Sequence, residues 1–254
     1  MNIIFSSYGN DSIALIQWAH NSGLDDVHVV FTDTGWSPGW WVDRRKNLNV
    51  WVRSLGFTVV EIASEGMEAL VRRKKAWPRG GGGKYQFCTE ALKEAPAREW
   101  LDSVDPNCDA TCLIGVRREE SANRMNHPEF IVESDKHGGR ELWAPLVRHT
   151  ELMRNDLLAE AGVTPLPFRS KECYPCVNAR KGELRNLGEE EIKRIEAIEI
   201  DMGINSKGNP RVMFSPKREG GAVGIRAVVE NAKKSKAKNM PDAGLGCTAG
   251  YCGN

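Results

Sequence analysis

The sequence predicts an α/β fold: a parallel, twisted sheet with helices on both faces, followed by a smaller cysteine-bearing region. Three observations carry this. Short apolar runs alternate with helical patterns through the first half of the chain, and strands alternating with helices imply parallel pairing through right-handed crossovers. Polar clusters at 6–12, 32–36 and 117–124 fall where those strands end, the edge of an open α/β sheet at which ligands bind. After residue 150 the alternation gives way to helices, a Cys-Tyr-Pro-Cys loop and a tail rich in Gly, Lys, Asn and Ser. The expected division is an α/β domain over 1–150 and a helical and irregular region over 151–254.

Each element has a local reason. Ile3, Ile4 and Phe5 form a buried strand that breaks into Ser6-Ser7-Tyr8-Gly9-Asn10-Asp11-Ser12. Ile13, Leu15, Ile16, Trp18 and Ala19 then read as an amphipathic helix. Residues 27–31 read as a strand, 39–55 as a helix through Trp40, Trp41, Leu48, Val50, Trp51 and Leu55, and 57–62 as a strand. A short helix with a basic end covers 66–74, a helix opened by Thr89 covers 89–101, and a strand covers 111–116. Helices follow at 150–161 and 189–202, with Leu152, Leu157 and Leu158 on one side of the first and Ile192, Ile195, Ile198 and Ile200 on one side of the second. The four glycines at 80–83 read as a mobile loop; Arg79 and Lys84 beside it suit either closure over an anion or a plain surface turn. From 203 onward the composition predicts a tail that packs on the main domain or is partly extended, with no core of its own.

Composition narrows the class. A chain of 254 residues suits one large domain, or one domain with an appendage. Lys plus Arg number 35 against 34 Asp plus Glu, so no global field advertises nucleic acid, although local basic patches remain. No apolar run reaches the length of a membrane span. Met1 leads directly into the first strand without a signal peptide, so a cytoplasmic location with no membrane partner is expected. Seven cysteines in a reducing compartment read as including metal ligands rather than as a disulfide scaffold. A homodimer is compatible with these figures.

The first turn carries the clearest chemistry. A helix N-terminus leaves N–H groups unpaired and bears partial positive charge. With Gly9 allowing close backbone approach and Ser6, Ser7 and Ser12 adding hydroxyls, the turn suits a phosphate or pyrophosphate. The plainer alternative is a βα loop whose Ser and Asp cap the helix. Asp33, at a strand end, suits a ribose hydroxyl, a magnesium ion or a turn cap. Arg117 and Arg124 can each grip phosphate or sulfate oxygens with two parallel donors, or form salt bridges with Glu119 and Glu120.

These segments, in order, resemble the phosphoadenosine phosphosulfate (PAPS) reductase family, within the HUP-like adenine nucleotide α-hydrolase group that includes the N-type ATP pyrophosphatases. The residues that carry the resemblance are Ser6 to Ser12, then Phe31-Thr32-Asp33-Thr34-Gly35-Trp36, then Phe87-Cys88-Thr89 with Leu92-Lys93 and Pro96. Gly115-Val116-Arg117 with Glu120-Ser121 and Arg124, Pro145-Leu146 before His149-Thr150, and Cys173-Tyr174-Pro175-Cys176 complete the series. The resemblance implies that Ser6, Ser7, Gly9, Asp11, Ser12, Asp33, Thr34, Gly35, Arg117 and Arg124 bind an adenine nucleotide (PAPS, adenosine phosphosulfate or ATP), and that Lys93 contacts phosphate. Two departures stand out. Tyr8 replaces one of the two loop glycines usual in the pyrophosphatases, as in the reductase branch, while Asp11-Ser12 is retained as in ATP users. Phe87-Cys88 replaces the adjacent cysteine pair of cluster-bearing reductases.

The cysteines follow from that resemblance. Cys88, Cys173 and Cys176 match family cluster positions, and either Cys247 or Cys252 in the terminal Gly246-Cys247-Thr248-Ala249-Gly250-Tyr251-Cys252-Gly253-Asn254 can complete a four-thiolate site. Four cysteines with no well-placed histidine suit [4Fe–4S] or zinc, and the resemblance selects [4Fe–4S]. Cys252 is assigned as the fourth ligand and Cys247 as nucleophile, so the catalytic set is Cys247, Arg117 and Lys93. Cys108 and Cys112, around a strand start, read as buried bystanders. The leading expectation is a sulfonucleotide reductase, with a thioredoxin-like or other thiol reductant as partner. The alternative is an ATP pyrophosphatase that activates a nucleic acid for sulfur insertion, with Arg72-Arg73-Lys74-Lys75 and the lysines of 233–238 against phosphates.

Overall fold

A computed structural model describes residues 1–81 and 83–235. The first half alternates as its hydrophobic pattern requires: β1 (Asn2–Phe5), α1 (Asn10–Asn21), β2 (Val27–Asp33), α2 (Gly39–Ser54), β3 (Thr58–Ala63), α3 (Met67–Lys74), α4 (Ala95–Val104) and β4 (Thr111–Leu113). Then come β5 (Phe130–Ser134), β6 (Arg140–Trp143), α5 (Glu151–Glu160), α6 (Lys181–Arg185), α7 (Glu189–Met202) and α8 (Ile225–Lys234). The six strands form one sheet in the order β3-β2-β1-β4-β6-β5, parallel except for β5, which runs antiparallel to β6 at the edge. The chain steps outward from β1 through β2 to β3 and then returns to β1's other side with β4. The carboxyl ends of β1 and β4 therefore form the switch point where a crevice opens.

Strand alternation sorts the core into two faces. Ile4, Val29, Phe31 and Leu113 pack with Ile13, Ile16, Trp41, Leu48 and Leu157 from α1, α2 and α5. Ile3, Phe5, Val30, Cys112 and Ile114 pack on the opposite face with Ala97 and Leu101 of α4. Side chains in a strand point alternately to the two faces, so a three-residue run such as Ile3-Ile4-Phe5 feeds both layers. A third cluster joins Trp36, Met67 and Leu70 to α6, α7 and α8, with Cys88 inside it and Cys173 and Cys176 against it.

The structure departs from the sequence reading in three places. The stretch between Arg124 and Pro145, left without elements, holds β5 and β6. Its hidden organiser is Arg140, fully buried, whose Nε meets Asp105 Oδ2 at 2.6 Å and whose Nη1 meets Asp102 Oδ1 at 2.8 Å. A charged residue at the start of a four-residue strand masks the strand pattern. The tail after 203 contains α8, whose Ile225, Val228, Val229 and Ala232 lie on one helical face and join the third cluster. The strand expected over 111–116 is three residues long: Ile114 N–H still donates to the Trp143 carbonyl at 3.0 Å, and Ile114 and Val116 stay in the core as the chain runs on past the strand end. Among the described residues no helix is long and apolar enough to cross a membrane.

Candidate nucleotide and thiol site

The loop from β1 to α1 is built from its own hydroxyls. Ser6 Oγ accepts from the Tyr8 N–H at 3.1 Å, Ser7 Oγ accepts from the Gly9 N–H at 3.4 Å, and the Ser12 hydroxyl donates to the Gly9 carbonyl at 3.1 Å. Gly9 is the N-cap, and no side chain caps the helix, so the amides of the first turn have no side-chain acceptor of that kind. The left-handed residue is Tyr8, at φ 56°, while Gly9 has an extended φ of −77° open to any residue. Tyr8 tolerates that backbone because its ring is buried against Phe31 and its hydroxyl donates to Asn49 Oδ1. Burial pushes the Tyr8 hydroxyl well above the usual phenol range, so it stays protonated as a donor.

The neighbouring strand end comes unusually close. A Cβ on Gly115 would lie 2.8 Å from the Asp11 carbonyl oxygen and 3.4 Å from the Ser12 nitrogen. Only glycine lets the 114–117 segment lie against the first turn of α1. That approach delivers Arg117, whose Nε donates to Asp11 Oδ1 at 2.5 Å and whose Nη1 lies 3.4 Å from Glu119 Oε2. Arg154 of α5 stands 4.0 Å from the same Asp11 oxygen. Arg124 is held by Glu120. Both arginines read as anion grips are thus engaged by carboxylates: Arg117 by Asp11 and Glu119, Arg124 by Glu120. Burial pushes the Glu120 carboxyl up to about 7, with Arg124 and Arg117 opposing the shift and Asp11 reinforcing it. Burial holds His149 below its usual range, and the Arg117 charge adds to this.

Asp33, at the end of β2, accepts the Gly35 N–H on Oδ1 at 2.9 Å and pairs through Oδ2 with Arg45 at 2.8 Å. Gly35, at φ 61°, brings its Cβ position within 3.2 Å of the Gly66 Cα, so two loops touch backbone to backbone. The Thr34 and Ser37 hydroxyls both donate to the Glu172 carbonyl at 2.8 Å. Lys93, in a wide π-type turn at Glu90–Glu94 that precedes α4, pairs with the buried Glu172 carboxylate.

One irregular segment, 166–176, links these parts. Asn10 exchanges two hydrogen bonds with the Leu166 backbone at 2.8 and 3.0 Å. Ser170 Oγ lies 3.4 Å from the Ser7 carbonyl. Tyr174 N–H donates to the Trp36 carbonyl at 2.9 Å, and Trp36 Nε1 donates to the Pro175 carbonyl at 3.1 Å. The segment therefore runs from the β1–α1 loop, past the end of β2, to the cysteines. Sequence reasoning missed Ser170, Glu172 and Asn10 as couplers. Their partners lie more than a hundred residues away except for Glu172 and Lys93, and no local spacing announces them.

Burial raises the Cys173 thiol well above its usual value, Cys176 and Cys88 push in the same direction, and Lys93 opposes them. Arg194, whose guanidinium lies 3.7 Å over the Trp36 ring, also feels Cys173. Among the described residues no two cysteines form a disulfide, and no group of three or more Cys, His, Asp or Glu side chains is gathered tightly enough to hold a metal ion. Three sulfur donors on one apolar patch, with two cations nearby, suit a thiolate-bound cluster in chemical kind. The sequence-assigned fourth ligand Cys252 and nucleophile Cys247 lie outside the described residues. Cys112 is buried in β4 as expected, its thiol pushed up to about 12 by burial, whereas Cys108, also expected to be buried, is exposed because it lies in the turn before β4 with a left-handed φ of 60°. The glycine loop packs on the cysteine segment, Gly81 N–H donating to Asn178 Oδ1 at 2.8 Å. Of the basic stretch, Arg72 pairs with Glu68 and Asp201 and Arg73 with Glu65, while the Lys74 ammonium lies 5.9 Å from the Phe87 ring centre.

A mostly parallel sheet with a hydroxyl-lined turn feeding a helix at its switch point defines an open, doubly wound α/β protein. The chain belongs to the phosphoadenosine phosphosulfate reductase domain family, whose profile matches residues 1–179. It is 28% identical over 122 residues to an uncharacterized 37.8 kDa protein of Escherichia phage 186. That match covers 44% of this chain and 36% of the phage protein, so the chain aligns with little more than a third of its curated relative. Among solved structures it is similar to a phosphoadenylyl-sulfate (PAPS) reductase from Candida auris in complex with phosphate, at 14% identity and a TM-score of 0.46, over 65% of this chain and 75% of that one. It is also similar to NMN synthetase from Francisella tularensis, at 12% identity and a TM-score of 0.46, over 94% and 89% of the two chains.

Proposed function

We propose that the protein is a sulfonucleotide reductase of the PAPS reductase type. The observation that carries this reading is the 166–176 segment, which ties the phosphate loop at Ser7 to the cysteines at 173 and 176. The Ser6–Ser12 turn and the free amides of α1 hold the α-phosphate of an adenine nucleotide. Thr34 and Gly35 lie beside the nucleoside, and Arg117, Arg124 and Lys93 neutralise the phosphosulfate. Cys247, as thiolate, attacks the sulfate sulfur; the sulfur–oxygen bond to phosphate breaks and the nucleotide leaves. A thiol of a thioredoxin-like partner then attacks the cysteine sulfur, which releases sulfite and leaves a mixed disulfide for a second thiol to reduce. Cys88, Cys173, Cys176 and Cys252 are the residues for a [4Fe–4S] cluster, which when bound supplies a polarisable, electron-carrying centre.

A second reading rests on a different observation. Lys74 lies over Phe87, and Lys84 lies 5.2 Å from the centre of the exposed Tyr85 ring, so cations and aromatic rings flank Cys88. That surface suits nucleic acid, and it favours an ATP pyrophosphatase that activates a nucleic-acid atom for sulfur insertion. Anaerobic protein incubated separately with PAPS plus a dithiol and with ATP plus nucleic acid separates the two. Sulfite from PAPS supports the reductase; pyrophosphate from ATP with no sulfite overturns it.

A further inference from the structure

Glu120 is a buried carboxylate that the proposed reaction does not use. Its side chain is 8% exposed, and one oxygen holds Arg124. The other oxygen, Oε1, is buried and has no hydrogen-bond partner among the described residues. An ionised carboxylate that loses water on one oxygen and gains no donor there is held at a cost. The surroundings are charged from every side. Arg124 lies on the following turn, Asp11 on the first turn of α1, and Arg117 at the end of the β4 segment. Beyond them stand Glu119, which pairs with Arg117, Arg154 of α5 against Asp11, and His149 ahead of α5, whose Nδ1 is also buried without a partner.

The consequence is a competition. Arg117 has an internal anion in Asp11, and Arg124 has one in Glu120. The two differ. Asp11 sits between two guanidiniums, with Oδ1 at 2.5 Å from Arg117 and 4.0 Å from Arg154. Among the described residues Glu120 pairs with the Arg124 guanidinium, and its Oε1 has no hydrogen-bond partner. Of the two internal anions, Glu120 is the one that gives way.

We propose that Glu120 occupies the anion seat of Arg124 in the ligand-free protein, and that an anionic phosphosulfate or phosphate entering the crevice displaces it while Glu120 takes up one proton. The proposal rests on the nucleotide-binding reading of this crevice and adds to it a linked protonation that makes Glu120 a specificity-determining residue. The seat is filled by groups that remain fully charged when Glu120 becomes neutral. Since burial already brings the carboxyl up to about 7, the proton is available near neutrality.

The test is calorimetry on the full chain with adenosine 5′-phosphosulfate, whose mixed anhydride carries no group that titrates between pH 6 and 8. Wild type is expected to bind about tenfold more tightly at pH 6 than at pH 8, and to take up about one proton per ligand at pH 8 in buffers of different ionisation enthalpy. Glu120→Gln is expected to bind equally at both pH values with little proton uptake, while His149→Asn keeps the wild-type uptake. Carbon-13 NMR of glutamate-carboxyl-labelled wild type reads the same event without a variant: one carboxyl resonance moves to its protonated position when the ligand is added at pH 8. Tight, pH-independent binding by wild type, or proton uptake that survives Glu120→Gln, overturns the displacement and leaves the nucleotide site standing. No binding by wild type or Glu120→Gln at either pH overturns the nucleotide reading and the displacement together.

Discussion

The two halves of the crevice are built differently. At the switch point, the β1–α1 loop, Gly115, Asp11 and Arg117 are held by backbone contacts and a buried ion pair, so this end is held in shape by its own groups. At the other end, Cys88, Cys173 and Cys176 come from a turn before α4 and an irregular loop, and meet on an apolar patch with no disulfide among them. One end has its counter-charges built in; the other gathers the three thiols proposed above as ligands. Binding at the first is expected to resemble docking into a rigid mould, whereas order at the second depends on what its thiolates hold.

The largest effect that tests this contrast falls on the thiols. Anaerobic protein is expected to be brown with about four irons per chain, and Cys173→Ala or Cys176→Ala is expected to lose nearly all of the iron. Iron analysis and visible absorption read this; colourless wild type containing stoichiometric zinc would keep the ligands and remove the cluster. If adenosine phosphosulfate still binds the iron-free variants, the two ends are independent.

The next effect falls on the rigid end. Arg117→Ala leaves Asp11 buried without its main partner, a change expected to cost about 3–5 kcal/mol, and to cut sulfite release from PAPS at least about tenfold. Urea denaturation beside the activity assay separates the two losses. An unchanged midpoint would mean that Asp11 finds another partner and that the mould is softer than its geometry suggests.

A smaller effect lies in pH. The Glu120 carboxyl is raised from 4.5 to about 7 in the folded chain, so the folded state keeps a proton that the unfolded state releases earlier. Stability is therefore lost as pH rises from about 4.5 to about 7 and is flat above that. On the order of 3 kcal/mol of that slope belongs to Glu120, and Glu120→Gln is expected to remove it. Matching slopes in both proteins would place the titration elsewhere. The smallest effect is Gly115→Ala, expected to cost about 1–3 kcal/mol as backbone is forced apart and to weaken nucleotide binding without changing iron content.

The same contrast explains what could be read in advance. The turn after β1, the strand-end turn at 33–35 and the helices of the first half were legible because each rests on neighbours within a few residues: Ser6 on Tyr8, Ser7 on Gly9, Asp33 on Gly35. Gly9 was read as the residue that lets the backbone approach closely, and nothing local marked Tyr8 as the one with positive φ, whose hydroxyl is anchored by Asn49, 41 residues away. The β5–β6 pair was hidden behind a buried arginine, and α8 behind a composition that suggested a loose tail even though Ile225, Val228, Val229 and Ala232 already followed the helical period. Glu172 could not be read at all. Its backbone carbonyl serves Thr34 and Ser37 and its carboxylate serves Lys93, and nothing local marks it.

The 166–176 segment has no regular secondary structure, yet its polar groups are bound at Leu166, Ser170, Glu172, Tyr174 and Pro175. Its amide hydrogens at Leu166 and Tyr174 should consequently exchange with solvent deuterium at rates set by opening of the whole sheet edge rather than by loop fraying. In time-resolved labelling this connection would behave as a seventh strand that never joins the ladder.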